Sequence, residues 1–304
     1  MEIRVLRYFL EIAREGNMTR AAKRLHVTQP TLSKQIKELE QELGKKLFTR
    51  SSTNLRLTDE GMLLRKRTED LIAMADKIEK EFQALDEITG GDIYIGCAES
   101  YLVKYLARAV SRLNENYTNI HYHITSGDTE QVTERLDRGL LDFALIVEPP
   151  DLSKYNYFEV PEYDTWGAIM RKDCPLAKKE YIEISDILPY PVFCSEQSAK
   201  VDLPRWCREH IDRLNIMATF NLSGNAAVFA REGLGVVLTF DKLIEISEES
   251  DLCFRQITPS LYTKMYVIWK KYQIFTPAAQ LLLDELKEVC TDKEVSAQGG
   301  ENHA

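Results

Sequence analysis

The apolar residues of this 304-residue chain change their period near residue 90, and that change constrains the fold more than any other feature. Before it, apart from two short extended pieces within 45–58, they recur at helical intervals. From Asp92 onward short apolar runs alternate with amphipathic stretches. The pattern predicts a helical head joined to an α/β body, with two or three domains at this length.

Charge divides at the same place. Residues 1–67 hold 15 Lys+Arg against 8 Asp+Glu, a balance of +7. Of the chain's 39 and 48, the remainder holds 24 and 40, a balance of −16. A basic head on an acidic body predicts that the head alone meets a polyanion.

Within the head, Leu6, Phe9, Leu10 and Ala13 make one helical stripe ending near Gly16. Thr19 is placed to cap a short second helix whose buried face is Ala21, Ala22 and Leu25. After the turn His26-Val27-Thr28, Thr28 suits an N-cap and Pro30 the first turn of a third helix, where a missing N–H costs nothing. Leu32, Ile36, Leu39 and Leu43 form its core stripe, so Pro30, Lys34 and Lys37 face outward, flanked by Gln29, Thr31 and Ser33. Two short helices joined by a tight turn, the second offering amide, hydroxyl and ammonium groups, make a helix-turn-helix suited to the major groove. Residues 45–58 then read as a β-wing around Ser51-Ser52-Thr53-Asn54, with Lys45, Lys46, Arg50 and Arg56 available to phosphates. A helical hairpin without a ligand is the plain alternative, and the charge asymmetry argues against it.

Through AAKRL (21–25), VTQPTLSKQIKELEQELGKKLFTR (27–50) and LTDEG (57–61), the chain resembles the LysR-type transcriptional regulators. The resemblance implies that Gln29, Pro30, Thr31, Ser33 and Lys34 face bases, and that Thr28, Arg50 and the wing face the backbone. The wing tip of that family often carries a basic residue. Here it reads SSTN (51–54), leaving Arg50 and Arg56 as the wing's charges.

Thr58 begins a long helix to about Leu85 in which Leu71, Ala75, Ile78, Phe82 and Leu85 alternate by four and three, a heptad seam that calls for a partner helix. Packing on the chain's own body is the alternative; the resemblance implies a dimer. Thr89-Gly90-Gly91-Asp92 reads as a hinge.

In the body, strands are expected at 93–97, 119–125, 141–148, 165–171, 190–195, 217–222, 235–240 and 262–270. Helices are expected after the first two strands, near 203–213, and from Thr276-Pro277 onward. The resemblance continues more weakly through GDIYIG (91–96), RGLLDFALIVEPP (138–150), CPLA (174–177) and AREGLGVVLTF (230–240). It implies two Rossmann-like lobes joined by crossover strands, as in periplasmic binding proteins, with a small-molecule effector between them. The organisation expected is a winged helix-turn-helix (1–58), a dimerisation helix and hinge (59–88), and an effector-binding domain (89–290). Lobe I of that domain would comprise 92–161 and 266–290, lobe II 162–265. The tail at 291–304 has the composition of a disordered segment.

Ligands of open α/β sheets sit beyond the carboxyl ends of strands, near helix N-termini. Those places carry Glu99, Ser100, Tyr101, Thr125, Ser126, Gly127, Glu148, Ser195, Glu196, Ser198, Thr239 and Phe240. Each hydroxyl is equally suited to cap a helix. The plain alternative for Glu99, Glu148 and Glu196 is that they face solvent; if at least two face inward, a ligand bearing an amine or many hydroxyls fits better than a simple dianion.

No catalytic motif or phosphate loop is present, so neither an enzyme nor a cofactor is expected. His121 and His123 share a strand face without a third ligand at metal-binding spacing. Six scattered cysteines and the lack of a secretory leader predict reduced thiols in a cytoplasmic protein, and no apolar run approaches a membrane span. Two readings remain. The leading one is a regulator binding double-stranded DNA as a homodimer or tetramer, with RNA polymerase a further candidate partner. The other is a small-molecule-binding protein or enzyme with a vestigial head, or a redox sensor using Cys194 and Cys207.

Overall fold

The computed structural model describes residues 1–50, 55–84, 90–148 and 151–292, save the side chains of Arg50, Gln83 and Ala84. These fall into two compact units, Met1–Gln83 and the chain from Ala84 onward.

In the first unit, α1 (Ile3–Glu15) turns Val5, Leu6, Phe9 and Ile12 into the core, while Leu10 and Ala13 sit at its margin. The second helix, α2 (Met18–Arg24), starts earlier than Thr19 would allow. Its cap is Asn17, whose side-chain oxygen accepts the N–H groups of Thr19 and Arg20, so Thr19 lies inside the first turn. In α3 (Gln29–Leu43), Thr28 is the cap as expected, and Leu32, Ile36 and Leu39 are buried. Leu43 departs from the predicted stripe, 39% exposed, because the helix runs past the edge of the core before Gly44 ends it in the left-handed conformation.

The wing is present as β1 (Phe48–Arg50) paired antiparallel to β2 (Leu55–Leu57); its tip, 51–54, lies outside the described residues. The Thr58 hydroxyl accepts the Gly61 N–H at 2.9 Å and starts α4 (Asp59–Ala84), 26 residues long. Leu64 and Ile72 of α4 pack on the core built by α1, α2 and α3, and Arg7 pairs with Asp76.

The second unit begins with a correction. Gly90 and Gly91, expected in a hinge, belong to β3 (Gly90–Cys97), paired in parallel with β4 (Asn119–Ser126). The neighbouring strand explains the glycine at 90: a Cβ there would lie 3.0 Å from the Asn119 carbonyl oxygen. Residues 85–89, which include Leu85 and Thr89, lie outside the described residues.

Between and after these strands come α5 (Lys104–Asn114), α6 (Thr129–Asp137) and β5 (Phe143–Val147), the last buried at every residue. The next strand, β6 (Tyr155–Arg171), is 17 residues long and starts ten residues before the expected one. Then follow β7 (Tyr181–Ile182), α7 (Ile184–Ile187), β8 (Pro191–Ser195), α8 (Glu196–Lys200) and α9 (Asp202–Cys207). A single helix near 203–213 is not found. Arg208 takes a positive φ of 48° and breaks it into α9 and a 3-10 turn. The chain ends with β9 (Asn215–Phe220), α10 (Ser223–Arg231), β10 (Val236–Phe240), β11 (Leu252–Ile257), β12 (Tyr262–Lys270) and α11 (Pro277–Thr291), capped by Thr276. The tail expected from Thr291 starts too early: Thr291 is the last residue of α11 and Asp292 its C-cap, and residues 293–304 lie outside the described residues.

Among the described residues, ten strands form one mixed sheet whose main path runs β4-β3-β5-β12-β6-β10-β8-β9. In the first half β3 lies parallel to β4 and β5; in the second, β8 lies parallel to β9 and β10. The long antiparallel pair β6 and β12 passes between the halves: β6 pairs with β12 up to Thr165, then with β10 and β11. The strand ends of both halves therefore face a common cleft, which places the candidate site.

Candidate functional site

The start of α3 presents one exposed polar face. Thr28, Gln29, Pro30, Thr31, Lys34 and Lys37 are exposed and Ser33 half-buried, opposite the stripe that packs on the core. The Thr28 hydroxyl accepts the Thr31 N–H at 3.4 Å and shares a hydrogen with its hydroxyl at 2.8 Å. Lys34 lies 3.8 Å from Glu38 with its side chain 76% exposed, so its ammonium stays in reach of a partner. In the wing Arg56 is exposed; the Arg50 side chain is outside the described residues.

Lys46 has a second task. It pairs with Glu40 at 2.7 Å, and Glu40 also accepts the Leu47 N–H at 2.9 Å. Burial opposes ionisation of Glu40, yet Lys46 and the N–H groups of Leu47 and Phe48 hold its carboxyl below the ordinary range. Lys46 thus fastens α3 to the wing. On α4, Leu71, Ile78 and Phe82 are 39%, 46% and 70% exposed, with Ala75 half-buried. Among the described residues of the first unit, apolar side chains at heptad spacing remain uncovered.

In the second unit a cavity of about 60 Å³ lies where the strands end. Of the expected residues, Glu99, Gly127, Ser195, Glu196, Thr239 and Phe240 line it. Trp166, Gln197, Asn221 and Ser223 join them without having been expected. Ser223 was hidden because Leu222, the residue before α10, offers no capping side chain and so no start signal. Trp166 reads as an ordinary strand aromatic; it packs edge-on against Phe240 with centroids 4.7 Å apart, and its Nε1–H donates to the Thr263 hydroxyl at 2.8 Å.

The other expected residues lie elsewhere, each for a visible reason. Ser100 is buried as a cap, accepting the Leu102 N–H at 2.9 Å and donating to Asp164 at 2.6 Å. Ser198 is buried beneath its helix, hydrogen-bonded to Ser195. Tyr101 points outward, 48% exposed, near Lys104 and Lys242. Thr125 and Ser126 end β4 at the edge of the sheet and do not reach the cavity. Glu148 takes φ 34° and turns to β12, where its carboxylate accepts the Lys264 N–H at 3.0 Å. It lines a second cavity of about 370 Å³ with Asp128, Glu130, Asp137, Lys154 and Lys200. Glu196 lies on the rim between the two and pairs with Lys200 at 2.7 Å, both largely exposed.

Around the crossover, burial pushes the Asp164 carboxyl up to about 7 despite the Ser100 hydrogen bond, and pushes Asp202 up to about 6 despite Arg205 and Thr263. Beside them, burial works against Glu162, but Lys104 and Tyr105 bind it at 2.7 and 2.6 Å and keep it ionised.

Comparison with known proteins decides the family. Residues 3–62 match the bacterial regulatory helix-turn-helix protein, lysR family, and residues 87–291 match the LysR substrate binding domain. The chain belongs to the LysR family. It is a LysR-type transcriptional regulator, with a DNA-binding helix-turn-helix and an effector-binding domain. It is 33% identical to the HTH-type transcriptional regulator YtlI of Bacillus subtilis (strain 168) over 62% of this chain and 60% of that protein. It is 24% identical to the uncharacterized HTH-type transcriptional regulator YvbU of the same organism, over 95% of this chain and 99% of the other. Full-length CbnR complexed with its target DNA has the same fold: TM-score 0.74, 17% identity, 95% of this chain and 100% of that one.

Two further sequence features of this LysR-type chain take structural places. Cys194 and Cys207 are both buried, and burial pushes their thiols up to about 11 and about 12, which disfavours the thiolate that peroxide or disulfide chemistry needs. The His123 ring stacks on Tyr94 with centroids 4.6 Å apart and lies 2.6 Å from Asp92, while His121 is exposed. Among the described residues no group of three or more metal-binding side chains occurs, and no helix is long and apolar enough to cross a membrane.

Proposed function

We propose that this regulator reads operator DNA in the cytoplasm as a homodimer or a dimer of dimers. Gln29, Pro30, Thr31, Ser33 and Lys34 meet base edges; Thr28, Lys37, Arg50 and Arg56 meet phosphates. The observation that carries this reading is the exposed polar row at the start of α3, held outward by Leu32, Ile36 and Leu39 on the opposite face. The exposed seam at Leu71, Ala75, Ile78 and Phe82 supports self-association through α4, and RNA polymerase is the further partner suited to a promoter-bound regulator.

The effector enters between the two halves of the second unit, at the cavity lined by Glu99, Ser195, Ser223, Thr239 and Phe240. Three carboxylates (Glu99, Asp128 and Glu196), several hydroxyls and three aromatic rings (Trp166, Phe220 and Phe240) suit a small molecule bearing an amine or hydroxyls better than a dianion. Thermal-shift screening of amino acids, amines, sugars and organic acids on the full chain tests this by mass action. Amines or polyols should raise the melting temperature and alter operator binding; stabilisation by dicarboxylates alone would overturn the assignment.

A further inference from the structure

Two side chains cross the cleft in opposite directions. Glu99, at the end of β3, reaches the start of α10, where its Oε2 accepts the Ser223 N–H at 2.7 Å. Gln197, in α8, reaches the start of α6, where its Oε1 accepts the Thr129 N–H at 3.0 Å. The amide nitrogen of Gln197 donates to the Val147 carbonyl at 3.2 Å.

Both seats are first-turn N–H donors of nine-residue helices, where the dipole and the unpaired N–H groups favour an anion. The two seats differ in need. Helix α6 has its own cap in Asp128, which accepts the Gln131 N–H at 2.8 Å. Helix α10 follows Leu222 and has no cap of its own, so the Glu99 carboxylate, 124 residues away in sequence, supplies it. An anion is already held there, and it is part of the protein. What remains of the space at this seat is about 60 Å³, room for roughly two waters, whereas the cavity of about 370 Å³ that shares Asp128, Glu196 and Gln197 with it has the size of a small-molecule site, about 300–1,000 Å³.

We infer that Glu99 is an internal anion that keeps the cleft closed and sets the charge class of the effector. This rests on the proposal that the effector binds between the halves. A carboxylate or phosphate group entering the cleft must evict Glu99 from α10 and then share a small space with a like charge. A cationic or neutral group meets no such barrier and gains a carboxylate to pair with. Gln197, neutral and seated on a helix already capped, is the part of the clasp that gives way without a charge penalty. Removing the Glu99 carboxylate converts the start of α10 into an anion site that the native protein lacks.

Calorimetric titration of the full-length protein with inorganic sulfate, at an ionic strength held constant with chloride, tests this. Sulfate bound at the basic head is common to all variants and is subtracted with the native protein. Glu99→Ala should bind sulfate at an additional site at least tenfold more tightly than the native chain does there. The double variant Glu99→Ala/Ser223→Pro should weaken that site several-fold, because proline removes the N–H that held Glu99 at a position where helices accept it. Should Glu99→Ala fail to fold, Glu99→Ser, which lacks both the reach and the charge, carries the same expectation. An additional site equally strong in the native protein, absent from both single variants, or undiminished by Ser223→Pro would overturn the inference. A screened amine or polyol that still alters operator binding would leave the effector reading standing while this one falls, so the two failures are distinct.

Discussion

The reading face of α3 and the cleft of the second unit treat their polar groups in opposite ways. At the start of α3, Gln29, Thr31, Lys34 and Lys37 are exposed, tied down among the described residues by Thr28 and by a loose contact from Lys34 to Glu38. In the cleft, Glu99 binds Ser223, Gln197 binds Thr129, Thr239 lies 3.2 Å from the Ser223 hydroxyl, and Ser100 is spent on Asp164. The first surface can meet a rigid duplex as it stands. On the proposed function, a ligand entering at the Glu99 seat must break bonds already made there, so its entry redistributes conformations. On that same proposal, one serves as a reader and the other as a switch.

The largest expected effect tests whether exposure in the first unit means a missing partner. Ile78→Asp or Phe82→Asp would bury an unpaired charge against a second α4, costing about 3–5 kcal/mol of association. Light scattering should show the particle mass fall by half; an unchanged mass would mean that the seam is not the contact.

The next effect tests the cost of the second unit's buried groups. Asp164 and Asp202 have folded pKa values near 7 and 6, above the ordinary 3.8, so the folded chain holds protons that the unfolded chain releases. Their stabilisation is complete below about pH 4 and is lost as the pH rises through 6 and 7. Urea unfolding should lose about 2–4 kcal/mol of stability between pH 5 and 8 from the pair. Asp164→Asn with Asp202→Asn should flatten that slope, and a slope unchanged by both would remove these carboxyls from the account.

A smaller effect belongs to the reader. Gln29→Ala should reduce discrimination between operator and scrambled duplex by about 1–3 kcal/mol at one base pair, seen as anisotropy ratios, with thermal stability unchanged. An unchanged ratio would take base reading away from Gln29. The smallest effect concerns the exposed rim of the cleft. Lys200→Ala breaks the surface pair with Glu196 and should leave the melting temperature unchanged; a clear drop would show that this pair, too, holds the cleft.

What the sequence shows of the head is nearly complete, because local signals suffice there: Thr28, Pro30 and Gly44 bound α3, and 4-3-4 spacing marks its buried face. The exceptions are local as well, with Asn17 outcompeting Thr19 as a cap and Leu43 overhanging the core. The cleft was legible only as a set of strand ends. Which strand-end residue faces inward depends on partners far away in sequence, such as Asp164 for Ser100, Lys264 for Glu148 and Glu99 for Ser223. No spacing rule carries that information. Helix α10 escaped notice for the same reason, since its cap arrives from another strand.

The most direct test of the whole account is the salt dependence of binding to the DNA upstream of the protein's own gene, measured by fluorescence anisotropy against a scrambled duplex. Phosphate contacts from Lys37, Arg56 and their neighbours predict operator affinity that falls by about 10³-fold or more between 50 and 200 mM salt, with the operator preferred throughout. Binding that ignores salt, or that treats the two duplexes alike at every salt concentration, would contradict it.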